Sequence, residues 1–219
     1  MSDPDDELES GAADRLIFFS DAVVAIAITL LALELPVPVG KTTHEFWQSA
    51  RSYDGHYLAF LISFIVIAAA WSQHHHVMRY AERSDSRLRT CNMLWLLTII
   101  LNPFATKLLT TEGHDSLATH ALRFGFYALL EVLASAAFVA LVHHMMSSGL
   151  ASPGTPRRIP DGAYWQGAGV IVGFGLSIPL FFVTSHAWVL WILGPLLIGR
   201  LARRWRRPGE QGSPGRIPA

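Results

Sequence analysis

The chain has 219 residues, 51% of them hydrophobic and 16% charged, with a mean hydropathy of +0.33. That length fits one domain; so apolar a composition, gathered in long runs, excludes an ordinary soluble domain, and the single Cys91 excludes an internal disulfide and a cysteine-rich metal site. The formal net charge of zero hides an asymmetry: Asp3, Asp5, Asp6, Glu7 and Glu9 crowd one end, and Arg200, Arg203, Arg204, Arg206 and Arg207 crowd the other.

In chain order, residues 1–13 are polar and acidic and read as a disordered tail. An acidic start and an overlong first apolar run argue against a cleavable signal peptide. Residues 15–35, RLIFFSDAVVAIAITLLALEL, can cross a bilayer, since about 20 helical residues at roughly 1.5 Å each span the roughly 30 Å hydrocarbon layer. Pro36 and Pro38 end this span, because proline cannot continue a helical ladder. Residues 39–54 read as a polar loop with an interfacial turn around Phe46 and Trp47. A second span covers residues 57–78, followed by the basic loop 79–89. A third covers 91–109 and carries Asn102-Pro103, where a kink is expected. A fourth covers 122–146, and the Gly, Ser and Pro content of 147–162 marks a loop. A fifth covers 165–183, with glycines at 167, 169, 173 and 175 that let helices approach closely. A sixth covers 187–202, and residues 208–219 read as a disordered tail. The fold class is therefore all-α: a polytopic membrane protein with six transmembrane helices in one domain, residues 14–207.

An even number of spans puts both termini on one side, and the distribution of arginine chooses which. The loops after spans two and four carry Arg79, Arg83, Arg87, Arg89, Arg157 and Arg158, on the side of the C-terminal cluster. The opposite loops carry only Lys41, Arg51, Lys107 and Arg123, so both termini are expected in the cytoplasm. The cluster RLARRWRR reads as a juxtamembrane segment held by anionic lipid of the bilayer, with no nucleic-acid partner. No Gly-rich phosphate loop, nucleophile elbow or zinc-protease signature is present, so no enzyme is expected.

Polar residues inside the spans need a reason. A charged side chain at the bilayer centre costs roughly 2.5–3.5 kcal/mol on insertion scales. In the first span Asp21 lies about 9 Å deeper than Arg15. The second span returns to the same side, bringing His74, His75 and His76 near that depth. Three readings of the histidines compete: a structural network with Asp21 or Ser20, a metal site, and a proton sensor or relay. Consecutive helical residues point about 100° apart, so three in a row cannot all face one ion. Arg15, Phe19 and Ser20 sit on turns adjoining Asp21 and can join a network. Glu131, in the fourth span, is expected to meet Arg123, Asn102 or a histidine. Further along the first span, Ile26, Thr29 or Leu30, and Leu33 share one face. That stripe serves either as packing surface or as the wall of a pore that closes by dewetting.

These residues form a pattern. Arg15, then Phe19-Ser20-Asp21, then AIAITLL resembles the first helix of the bacterial transmembrane protein 175 family of potassium channels. Trp71, His74 and His75 match the family's W-x-x-H-H, and Pro103, Phe104 and Thr106 its Pro-Phe-x-Thr; the six-span layout also fits. The resemblance implies a homotetrameric potassium channel, with helix one lining a central pore, in the bacterial inner (cell) membrane. It places the hydrophobic constriction at Ile26, a polar layer at Thr29 and a second apolar layer at Leu33. Like the family, the chain lacks the TVGYG filter of ordinary potassium channels. Potassium and other monovalent cations are thus the implied permeant ions, with no cofactor and no resident metal. The same resemblance implies an interhelical network of Arg15, Phe19, Ser20, Asp21, Trp71, His74 and His75, with His74 the better match for meeting Asp21. The competing readings are a proton-coupled membrane transporter using Asp21, Glu131 and His74 to His76, and a membrane enzyme or metal protein using the histidine run.

Overall fold

The computed structural model describes residues 4–111, 116–184 and 186–206. The described residues form α1 (Pro4–Leu33), α2 (Thr43–Ser52), α3 (Asp54–Met78), α4 (Ser86–Thr110), α5 (Leu117–Ser147), α6 (Arg158–Leu180) and α7 (Val189–Arg206). Outside them runs one isolated antiparallel bridge, Ala81 to Ala151, which ties the α3–α4 turn to the α5–α6 loop.

Helix α1 starts at Pro4, so residues 4–13 are helical where the sequence suggests a disordered acidic tail. The stretch runs without a break into the apolar span, and a helix already formed there extends back through it one residue at a time. Residues 208–219, the other expected tail, lie outside the described residues. Helix α2 replaces the expected polar loop. Its start is capped twice: the Glu45 amide donates to Thr42 Oγ1 at 3.2 Å, and Glu45 Oε2 accepts from the amide of Lys41, just before the cap, at 2.8 Å. The same logic starts α4, where Asp85 accepts from the Leu88 amide at 2.7 Å, and α5, where Ser116 accepts from the Thr119 amide.

Among the described residues five helical stretches are long and apolar enough to cross a membrane: Gly11–Leu33, Asp54–Met78, Ser86–Thr110, Leu117–Ser147 and Arg158–Leu180. The chain is a multi-pass membrane protein. The expected sixth span corresponds to α7, whose described apolar stretch is Val189–Leu201.

Helices α4, α5, α6 and α7 pack each against the next, and α1 lies against α4 and α3. One core gathers Leu16, Val24 and Leu31 of α1 with Ile67, Trp95 and Leu141. A second forms around Trp191, stacked on Tyr127 at 4.9 Å and on Phe174 at 5.1 Å. There the backbones of α6 and α7 nearly touch: a Cβ on Gly173 would lie 2.6 Å from the Leu190 carbonyl oxygen, and one on Gly194 2.6 Å from Gly173 Cα. Gly167, Gly169 and Gly173 are thus the contact glycines of α6, whereas Gly175 faces open space.

Candidate functional site

Helix α1 has two unlike faces. Leu16, Ile17, Ser20, Val24, Ala27 and Leu31 are buried against the neighbouring helices. Phe19, Ile26, Thr29, Leu30 and Leu33 are exposed, Ile26 by 58% and Leu33 by 80%. These fall at helical i, i+3/i+4, i+7 spacing, so they form one continuous stripe with no partner among the described residues. Thr29 belongs to the stripe, and its hydroxyl donates to the Ile26 carbonyl one turn back at 2.8 Å.

The lower part of α1 is held by two separate polar contacts. Outside, Asp21 accepts a hydrogen bond from the Trp71 indole Nε1 at 2.8 Å and lies 3.4 Å from His75 Nδ1. Inside, the Ser20 hydroxyl donates to the Leu16 carbonyl at 2.8 Å and accepts from Asn92 Nδ2 at 2.9 Å. The Asn92 carbonyl oxygen is then left to accept from His74 Nε2 at 2.8 Å. Because the chain ends on a carbonyl that can only accept, every donor in it is fixed, and the His74 proton sits on Nε2. His74 is fully buried and stacks on Trp95, ring centroids 4.0 Å apart and planes 2° from parallel. Its Nδ1 has no partner among the described residues.

This corrects the assignment of His74 to Asp21: His75 takes that place, and His74 reaches Ser20 through Asn92. The reason is the roughly 100° turn between consecutive helical residues, which aims His74 at α4 and His75 back toward α1. Arg15 is also not where the network places it; its Nε donates to the Gly11 carbonyl at 3.0 Å, one turn back along α1. Phe19 lies on the exposed stripe, beside the network and not in it. Asn92 was missed. Its only signal is a carboxamide one turn before Trp95 in an apolar span, at the depth of the histidines.

A second buried polar cluster lies between α3, α4 and α5. Of the three partners considered for Glu131, Asn102 is the one found, its Nδ2 donating to Glu131 Oε1. Thr106 donates to Ser63 Oγ at 2.8 Å, and Ser63 meets the Tyr127 hydroxyl at 3.0 Å. Asp21 and Glu131 therefore belong to separate clusters, so the three groups a proton-coupled carrier would need are not brought together. Among the described residues no group of three or more His, Cys, Asp or Glu side chains is placed to hold a metal ion. At the far end of α1, Lys107 Nζ lies 2.7 Å from Glu34 Oε2, tying α4 to the end of the stripe.

The family model described as endosomal/lysosomal potassium channel TMEM175 matches residues 15–103. A potassium channel of Streptomyces collinus is 33% identical over 178 residues, which cover 81% of this chain and 84% of that protein. The chain belongs to the TMEM175 family. A protein from Chamaesiphon minutus, also a potassium channel by name, is 41% identical over 103 residues, 46% of this chain and 51% of its own length. The crystal structure of a lysosomal potassium-selective channel TMEM175 homolog from the same organism superposes with a TM-score of 0.66 at 28% identity, covering 90% of this chain and 99% of that one. Residues 15–103 of this TMEM175 chain hold the whole stripe of α1, the Trp71 and His75 contacts and Asn92; Glu131 lies beyond them.

Proposed function

We propose that this protein is a potassium channel: a homotetramer that conducts potassium and other monovalent cations passively through a central pore lined by α1. The observation that carries the reading is the apolar stripe of α1, left uncovered on a helix whose opposite face is packed. In a family of potassium channels, four copies turned so that these stripes meet would bury that surface and enclose an axial path. Ile26 forms the constriction, Thr29 a polar layer above it and Leu33 a second apolar layer. A ring of branched aliphatic side chains passes ions only when it is wide enough to hold water, so small rotations of α1 gate the path. Asp21 sets that rotation, because Trp71 and His75 grip it from α3. The protein sits in the bacterial inner membrane with both termini cytoplasmic, a placement supported by the arginine-rich loops.

The test is potassium flux from liposomes loaded with a potassium gradient. Ile26→Asn, which puts a wettable side chain at the constriction, is expected to raise flux by roughly tenfold, equivalent to a barrier lower by about 1.4 kcal/mol. Absent wild-type flux, or a variant indistinguishable from wild type, removes Ile26 from the pore.

A further inference from the structure

His76 is the one histidine of the run that the α1 contacts leave unused. It points away from α1, where its ring meets only Tyr80, edge-on at 6.2 Å, among the described aromatic side chains. On that side it lines a cavity of about 410 Å³ between α3 and the start of α6, together with Ser72, Gln73, Arg158 and Gln166. A second cavity of about 330 Å³ adjoins it, walled mostly by apolar side chains such as Val66, Phe138, Val170 and Leu196, with Glu131, bonded by Asn102, also in its wall. Ala69, Gln73 and Gln166 line both, so the two form one groove with Arg158 at its mouth and a mostly apolar interior. Gln73 Nε2 is buried there without a hydrogen-bond partner among the described residues. A buried amide donor without an acceptor is costly and points to a group that fills the place.

We propose that this groove binds an anionic phospholipid, with its phosphate at Arg158 and His76 and an acyl chain in the apolar cavity. Charge complementarity selects the headgroup: Arg158 lines the mouth, and basic pockets between transmembrane helices suit lipid phosphates. The acid nearest in sequence, Asp161, is not among the residues lining the cavity. The phosphate or ester oxygens would also give Gln73 Nε2 its missing acceptor. The apolar cavity selects a lipid over free phosphate, because it lies between segments that cross the hydrocarbon layer. The bound lipid bears directly on α3, on the face opposite Trp71 and His75.

The experiment is native mass spectrometry of the detergent-purified full chain, titrated with phosphatidylglycerol or with phosphatidylcholine of identical chains. Phosphatidylglycerol should be retained about fivefold more strongly. Arg158→Gln should reduce it to the phosphatidylcholine level, and Ala69→Phe, which fills the shared wall, should weaken both lipids while leaving Arg158 in place. Equal retention of the two lipids by wild type, or an undiminished preference in Arg158→Gln, overturns the proposal. So does displacement of the lipid by inorganic phosphate at equal concentration, which would make the acyl chain irrelevant. An oligomer that takes up neither lipid would give the groove to a neighbouring copy and also overturn it. No ion flux enters this measurement, so its failure leaves the channel reading untouched.

Discussion

Asn92 is the residue on which the inner contact of α1 depends. It is fully buried, and its two ends serve different helices: the amide nitrogen reaches Ser20 of α1 and the oxygen receives His74 of α3. Asn92→Ala would strand the Nε2–H of His74 and remove the donor to Ser20. A buried polar group left unpaired costs roughly 1–3 kcal/mol, so the melting temperature of the purified protein should fall measurably. Asn92→Asp should recover part of the loss, since its carboxylate can still accept from His74. An alanine variant as stable as wild type would mean that Asn92 does not hold the three helices together. The His74 and His75 exchange belongs to the same scale. Sequence spacing identified the run and its depth, but which imidazole faces α1 depends on the rotation of α3, set by packing across the molecule.

The helices themselves were largely legible, because each long apolar run has its own stop: Pro36 after α1, the arginines of 79–89 after α3, the Gly, Ser and Pro stretch after α5. Where the reading fell short, a local signal was outweighed. Thr42 and Glu45 cap the start of α2, yet the polar composition of 39–54 suggested a loop. Acidity at residues 3–9 suggested disorder, although acids favour a helix start. At the ends of α4 and α5 a further pair can be tested. Asp85 caps α4 and meets His144 Nε2 of α5 at 2.8 Å. Burial alone would raise the Asp85 carboxyl; the Leu88 amide and His144 outweigh it and hold the carboxyl below its ordinary range. A folded value below the unfolded one adds stability that is present at neutral pH and lost as pH falls through the folded value. Thermal melts of wild type and Asp85→Asn, which keeps the cap but loses the charge, should therefore differ at neutral pH, and the difference should shrink as pH falls below the ordinary carboxylate range. A gap that persists in acid would contradict this account.

At the scale of the whole molecule, the question is what covers α1. A single chain leaves Ile26, Leu30 and Leu33 bare on the same face, and periodicity alone could not distinguish packing surface from pore wall. Membership of the TMEM175 family changes the balance, since its signature immediately precedes the stripe. Light scattering of the purified protein should give four chains of 24.2 kDa each within the detergent micelle. In a Cys91→Ser background, Leu33→Cys should become accessible to a charged thiol reagent, and its modification should block most potassium flux. Modification without loss of flux would place Leu33 on an outer surface.

The hydrogen-bond chain from His74 through Asn92 and Ser20 has one further consequence. All its donors point the same way, and it stops at the Leu16 carbonyl inside α1. A carboxamide and a backbone carbonyl are too weakly basic to take up and release a proton, so the column cannot act as a Grotthuss wire. The column therefore holds α1 to α3 and α4 without passing a proton between them.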